Sequence, residues 1–336
     1  MTEILTPWLK LAACAVLIGF AGPMLSRNAD IIARLTGLSR SFVGLMMLAS
    51  ATSLPELFTV ISAVTIANAP NIAVGDALGA CIFNLVTLVV LDALSREEPM
   101  YRRIDQGHIL TAGFGVIMIG FVGALILLSR DGFEPRLSHV SAYTPIIIVI
   151  YFVAARAAFV YERRKPPEPQ TRTEGPPATL KGAIIGYLMA ATVIGVAGGW
   201  LPFIGVEIAS VMAWKTTFVG TLFIGIATTM PELVVTVSAL RLGHIDMAIG
   251  NLLGSNLFDI LILALADIAY TRGPLLSVVS TAHAISAFAA VIMSGIFIVA
   301  LLYRPETRLR GTIGWVSLSL LMVYLLSSYA VYLQGH

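Results

Sequence analysis

The sequence predicts an all-α membrane protein with about ten transmembrane helices in two inverted five-helix repeats. Three observations carry that expectation: an apolar composition, ten separate apolar segments, and an internal repeat whose copies face opposite ways. Of the 336 residues, 57% are hydrophobic and 12% charged, roughly half the charged share of a soluble domain. Mean hydropathy is +0.89. Long apolar runs in such a chain are membrane spans rather than core strands. The net charge of +2 says little until the charges are placed, and nucleic acid is not an expected partner. Cys14 and Cys81 lie in apolar segments and form neither a zinc spacing nor a disulfide framework.

The apolar segments fall at about 8–25, 42–67, 72–94, 108–128, 139–161, 181–200, 216–240, 245–269, 277–303 and 312–333. No basic region precedes the first, so it is expected to be a retained span rather than a signal peptide. The second, third, seventh and eighth contain Gly, Pro and acids, whereas the others suit contact with lipid. The stretch from Pro166 to Pro177 holds five prolines and no apolar period, which predicts an extended, solvated connection. The expected organisation is a first repeat over 1–161, a cytoplasmic linker over 162–180 and a second repeat over 181–336. The linker is too short to hold a folded domain.

Orientation follows from Lys and Arg, which concentrate on the cytoplasmic side. With both termini outside, fifteen of the 21 basic residues fall inside, among them Arg27, Arg102, Arg103, Lys181, Arg241 and Arg304. Lys10, Arg130, Arg136, Lys215 and Arg272 fall outside. The expected location is a prokaryotic cytoplasmic membrane.

The repeat is read directly. Residues 42–57 are FVGLMMLASATSLPEL and residues 218–233 are FVGTLFIGIATTMPEL, a shift of 176. Residues 74–84, VGDALGACIFN, match 249–259, IGNLLGSNLFD, at a shift of 175. Gly19 and Gly22 fall on Gly195 and Gly198. Five spans separate the copies, an odd number, so the copies cross the membrane in opposite senses. Inverted repeats with interrupted helices place an ion site near the membrane midplane.

Glu56 and Glu232 sit about fifteen residues into matched spans. A carboxylate at that depth costs several kcal/mol or more unless paired, neutralised or hydrated. Two acids at equivalent positions of inverted repeats are expected to converge, and a divalent cation would relieve their repulsion. Hard oxygen ligands suit Ca²⁺ and Na⁺, and no His or Cys cluster favours a transition metal. Pro55 and Pro231 precede the two glutamates. A helical proline lacks an N–H and crowds the preceding turn, which partly releases the carbonyls of Ala51 and Thr52, and of Ala227 and Thr228. A plain proline kink remains the alternative. Asn84 and Asp259 match and are expected to face the glutamates. Ser255 offers a hydroxyl that its counterpart Ala80 lacks. Asp92 and Asp267 match near span ends, where a solvated role is expected. Asp76 with Asn251, and Asn71 with Asp246, are expected to act as helix caps.

Through Ala49-Ser50-Ala51-Thr52-Ser53-Leu54-Pro55-Glu56, Gly225-Ile226-Ala227-Thr228-Thr229-Met230-Pro231-Glu232 and Gly250-Asn251-Leu252-Leu253-Gly254-Ser255-Asn256-Leu257-Phe258-Asp259, the chain resembles the cation/calcium exchanger superfamily, within it the prokaryotic-like sodium/calcium exchanger type with two alpha repeats. The resemblance implies alternating-access antiport of Ca²⁺ against a monovalent cation, with no cofactor and no enzymatic step. It implies Ca²⁺ binding by Glu56 and Glu232 with the carbonyls of Thr52 and Thr228. An outer Na⁺ position would use the Gly225 carbonyl, Thr228, Glu232 and Ser255. An inner one would use the Ala49 carbonyl, Thr52, Glu56 and the place now held by Ala80. Asn84 and Asp259 would complete the cluster.

The family pattern has Gly-Ser-Asn where this chain has Gly79-Ala80-Cys81. The lost hydroxyl leaves the counter-ion open: Na⁺, or alternatively H⁺ at the same acidic site. Asn84 in place of Asp argues against the potassium-dependent type. An intramembrane aspartyl protease would need paired Tyr-Asp and Gly-x-Gly-Asp segments, and neither occurs. A scaffold with degenerate repeats is the remaining alternative. The expected partners are membrane lipid and inorganic cations. Oligomeric state, ion ratio, flux direction and regulation leave no mark in the sequence.

Overall fold

The computed structural model describes residues 2–36, 43–95, 100–130, 135–163, 179–241, 243, 245–305, 308–309 and 313–334. The proline-rich stretch of the expected linker, together with Arg40, Arg96, Arg164, Lys165, Arg172 and Arg310, lies outside these residues.

Among the described residues, ten helices of twelve residues or more follow in order: α1 (Thr2–Thr36), α2 (Leu54–Thr65), α3 (Pro70–Leu94), α4 (His108–Arg130), α5 (Thr144–Arg163), α6 (Leu180–Met212), α7 (Met230–Arg241), α8 (Ile245–Ala269), α9 (His283–Tyr303) and α10 (Trp315–Gln334). Among the described residues, eight are continuous, long and apolar enough to cross a membrane. The other two, α2 and α7, are the second halves of broken spans. In the second repeat, Thr216–Thr228 meets α7 at a bend of 42°.

Helices α1 and α6 run beyond the expected first and sixth segments, to 35 and 33 residues. In α1 the polar continuation after Leu25 contains no helix breaker, so the backbone ladder carries on; in α6 the continuation is apolar and passes through Pro202. Lys10 near the start of α1 bonds Glu207 near the end of α6 at 2.8 Å, as antiparallel neighbours require.

The break recurs in both repeats with the same anatomy. A π-helical segment, Val43–Leu48 or Gly220–Ile224, leads into one α-turn, Ala49–Thr52 or Gly225–Thr228. Ser53 and Thr229 then leave the helical conformation, with ψ of 13° and 4°, and a new helix begins at the Leu-Pro or Met-Pro pair. Proline is at home there, because the first turn of a helix needs no N–H from it. It also leaves the carbonyls of Ala51 and Ala227 without their ordinary helical donor. The break is therefore an interruption of the helix rather than the plain kink of the alternative reading.

Helices α3 and α8 form the buried centre, each packed against the broken segment of the other repeat. The approach is backbone to backbone. A Cβ on Gly79 would fall on the Thr221 carbonyl, and one on Gly254 would fall on that of Leu45. Without lipid–helix contrast to drive association, small residues that permit such contact hold membrane helices together. Helices α1 and α6 pack on α7 and α2 respectively, with Gly22 against Pro231 and Gly198 against Pro55. The matched glycines seen in the sequence thus seat the long helices on the two prolines. Apolar side chains such as Phe20, Val196 and Leu326 stand outward on α1, α6 and α10.

The repeats interlock. Asp92 at the end of α3 accepts bonds from Gly314 N (3.0 Å) and Ser317 Oγ (2.5 Å) at the start of α10. Asp267 at the end of α8 accepts from Ser141 N (2.8 Å) and Thr144 Oγ1 (2.5 Å), near the start of α5, and from Leu275 N (2.7 Å) at the 3-10 turn Leu275–Ser277 of its own repeat. Both acids are buried, so the expected solvated role is corrected: each satisfies orphan N–H groups at the start of a helix from the opposite repeat. The cap expectation for Asn71 and Asp246 is also corrected. Asn71 Oδ1 accepts from Ser280 N at 2.7 Å and lies 3.2 Å from His283 Nε2. Asp246 Oδ1 accepts from Asp105 N at 2.8 Å and lies 3.3 Å from His108 Nε2. Both tie their helix to the start of α9 or α4, a shift of 175 throughout.

Candidate cation site

The two interruptions and the two central helices enclose a group of polar side chains deep in the protein. Thr52, Ser53, Glu56, Asp76, Thr228, Glu232, Asn251, Ser255 and Asp259 are all fully buried, at 0% exposure, and Asn84 is at 1%. Ala49, Ala80 and Gly225 are buried with them. The residues named from the sequence as ion ligands are thus all buried.

The two glutamates are held differently. Ser53 Oγ donates to Glu232 Oε1 at 3.1 Å, across the repeat boundary, and Ser255 Oγ lies 3.5 Å from the same oxygen. The residues matching Ser53 and Ser255 are Thr229 and Ala80. Thr229 turns its hydroxyl back to the Gly225 carbonyl, and Ala80 has none. Among the described residues, neither oxygen of Glu56 has a side-chain donor, and Glu232 Oε2 is unpartnered as well.

The central residues pair across the boundary. Asn84 Nδ2 donates to Asn256 Oδ1 at 3.0 Å, while Asn84 Oδ1 has no partner. The Cys81 thiol lies 3.7 Å from Asp259 Oδ2, leaving Asp259 Oδ1 unpartnered. Cys81 and Asn256 are themselves matched positions, so the substitution of Cys for Asn is what leaves Asp259 without a strong donor.

The two carbonyls expected to serve the monovalent positions already accept bonds. The Ala49 carbonyl accepts from Ser53 N (3.0 Å) and from Thr52 Oγ1 (3.3 Å). The Gly225 carbonyl accepts from Thr229 N (3.2 Å), Thr228 Oγ1 (3.2 Å) and the Thr229 hydroxyl.

Asp76 and Asn251 are not caps. Each sits almost two turns into its helix. Thr228 Oγ1 donates to Asp76 Oδ1 at 2.8 Å; Thr52 Oγ1 reaches Asn251 Oδ1 only at 3.4 Å. Sequence reasoning missed Ser53, Asp76 and Asn256 as members of this group. The available signal was their match at the repeat spacing inside the two motif blocks.

Chemically, the arrangement gathers carboxylate, hydroxyl, amide and carbonyl oxygens in a dry interior. Carboxylates left without donors at such depth call for a proton or a cation. Among the described residues, no three acid, His or Cys side chains converge tightly enough to enclose a metal ion by themselves, so hydroxyl and carbonyl oxygens would have to share the coordination. That mixture is the chemistry of Ca²⁺ and alkali cations.

The family profile described as sodium/calcium exchanger protein matches residues 6–160 and 182–333. The inner membrane protein YrbG of Escherichia coli is 24% identical over 251 residues, covering 74% of each chain. The sodium/calcium exchanger MaX1 of Methanosarcina acetivorans is 27% identical over 280 residues, 73% of this chain and 77% of that one. Among solved structures, the sodium-calcium exchanger NCX_Mj soaked with Na⁺ and Sr²⁺ superposes with a TM-score of 0.62 at 20% identity, over 96% of this chain and 98% of its own. Native YfkE gives 0.64 at 14% identity, over 96% and 92%. At such identities the structures speak to the fold.

Proposed function

The chain belongs to the sodium/calcium exchanger protein family, and from that premise we propose that it is a secondary antiporter that exchanges Ca²⁺ for Na⁺ by alternating access at the buried acidic centre. Glu56 and Glu232, with the carbonyls of Thr52 and Thr228, hold Ca²⁺. The counter-ion competes for the same oxygens: the Gly225 carbonyl, Thr228, Glu232 and Ser255 on one side, and the Ala49 carbonyl, Thr52 and Glu56 on the other. Asn84 and Asp259 complete the cluster. The ions are substrates, and the chain's own groups supply all the ligands. The protein spans a cytoplasmic membrane of prokaryotic type, with both termini outside and the 162–180 linker inside joining the repeats 1–161 and 181–336.

One observation carries this reading: two glutamates at matched breaks of inverted repeats, both fully buried, with three of their four carboxylate oxygens lacking a donor among the described residues. A buried acid pair kept for structure would be expected to have its oxygens bonded. Here the open valences are where a cation would sit.

A second reading, Ca²⁺/H⁺ exchange at the same site, draws on Ala80. Without a hydroxyl there and with Thr229 turned away, the first-repeat side offers a monovalent metal ion fewer ligands than the second. Radiolabelled Ca²⁺ uptake into proteoliposomes, driven by an outward Na⁺ gradient with pH clamped on both sides, decides between the two. Sodium-driven uptake is expected. Uptake that ignores Na⁺ and follows an imposed pH gradient would establish the second reading instead.

A further inference from the structure

Asp76 has the chemistry of a ligand and no structural reason for one of its oxygens. It is fully buried. Oδ1 accepts from Thr228 Oγ1 at 2.8 Å, and Oδ2 has no partner among the described residues. Its match, Asn251, is satisfied at both ends: Oδ1 meets Thr52 Oγ1, and Nδ2 donates to Thr236 Oγ1 at 3.2 Å. The residue matching Thr236 at the repeat spacing is Val60, which has no hydroxyl. The second repeat's threonine therefore meets a carboxylate with a bare oxygen, where the first repeat's meets an amide in a closed network.

The surroundings set this carboxylate beside the ion site. Thr228 stands one turn before Glu232, and its hydroxyl has a single hydrogen with three acceptors in reach: Asp76 Oδ1, the Ile224 carbonyl at 3.2 Å and the Gly225 carbonyl at 3.2 Å. Asp76 also lies within electrostatic reach of Glu56, Glu232 and Asp259. An unbonded carboxylate oxygen in a dry interior costs several kcal/mol unless a proton or cation meets it.

We propose that Asp76 is a cation ligand, its Oδ2 joining the Thr228 hydroxyl, the Gly225 carbonyl, Ser255 and Glu232 around the monovalent counter-ion on the second-repeat side. This rests on the sodium/calcium reading above. It makes the site one-sided: the first-repeat side loses a ligand at Ala80, and the second-repeat side gains a charged one at Asp76. The counter-ion that matters most for displacing Ca²⁺ is then the one beside Thr228.

The test is calorimetric titration of the purified full chain with Ca²⁺ at several Na⁺ concentrations, comparing the native protein with Asp76→Asn. That substitution installs the side chain Asn251 already provides in the other repeat, and size-exclusion chromatography checks its fold. The Na⁺ concentration that halves Ca²⁺ binding is expected to rise tenfold or more, with a markedly smaller change in Ca²⁺ affinity measured without Na⁺. An unchanged Na⁺ competition overturns the proposal, as does an equal change for both ions, which signals only a weaker field. If Na⁺ fails to compete even in the native protein, the sodium reading falls and takes this proposal with it. Should Asp76→Asn not fold, Asp76→Ser, which keeps an oxygen near Thr228 and removes the carboxylate, gives a second readout in the same titration. The same selective loss of Na⁺ competition is expected there, and an unchanged competition overturns the proposal.

Discussion

Ser53 reaches across the repeat boundary to Glu232, 3.1 Å from hydroxyl to carboxylate, and the mirror contact from Thr229 to Glu56 is not made. The matched hydroxyl instead caps the Gly225 carbonyl one turn back. Inverted repeats create the expectation of a symmetric site. A single rotated hydroxyl and one missing oxygen at Ala80 give its two acids different surroundings.

This difference predicts unequal effects of two small substitutions. Ser53→Ala removes a hydrogen bond to a buried carboxylate, worth about 1.5–3 kcal/mol. Ca²⁺ affinity in titration calorimetry is expected to change by about tenfold or more. Thr229→Ala touches no carboxylate in this arrangement and is expected to shift affinity by less than about threefold. Equal effects would mean that the two glutamates are held alike.

Ala80→Ser restores the hydroxyl that Ser255 supplies on the other side. The residue is fully buried, but one added oxygen is a small change of volume. Sodium is expected to compete with Ca²⁺ more strongly in this variant, by up to about tenfold, for a hydrogen-bonding group gained in a dry site. A Na⁺ dependence identical to that of the native protein would show that the first-repeat side does not hold a monovalent ion.

Gly254→Ala tests whether close backbone contact between α8 and Val43–Leu48 is required. Its Cβ would overlap the Leu45 carbonyl and stand 2.8 Å from Ala49 Cβ. Backbone cannot yield as a flexible side chain does, so a loss of about 1–3 kcal/mol or more is expected. Thermal unfolding in detergent reads it as a lower midpoint, with transport falling in parallel. A midpoint equal to the native one would place the helices farther apart than described.

Asp92→Ala and Asp267→Ala remove acceptors from buried N–H and hydroxyl groups at the starts of α10 and α5. Each orphaned group costs about 1–3 kcal/mol. Among the described residues Asp267 serves three donors and Asp92 two, so the larger loss of thermal stability is expected at Asp267. Ca²⁺ affinity of whatever protein remains folded should stay close to native. A selective loss of affinity with native stability would assign these acids to the ion path instead.

The ten spans and the two interruptions were legible because apolar runs and Pro-Glu pairs are local signals. So were Glu56, Glu232, Asn84 and Asp259, since a motif repeated at fixed spacing survives without knowledge of contacts. The π-helical lead-ins were not legible, because an extra residue per turn leaves no mark in hydropathy. The roles of Asp76, Asp92 and Asp267 were misread for a different reason. Position along a helix suggests a cap or a solvated end, but each partner lies 123 or more residues away in the other repeat, or across a loop for Leu275. Only the fold supplies those partners.

The paired glutamates as the site of Ca²⁺ transport are tested most directly by radiolabelled Ca²⁺ flux in proteoliposomes containing Glu56→Gln or Glu232→Gln protein. Both substitutions keep the side-chain shape and remove the charge. Gradient-driven Ca²⁺ flux is expected to disappear in each, while the protein remains folded by size-exclusion chromatography. Flux at the native rate in either variant would contradict the account.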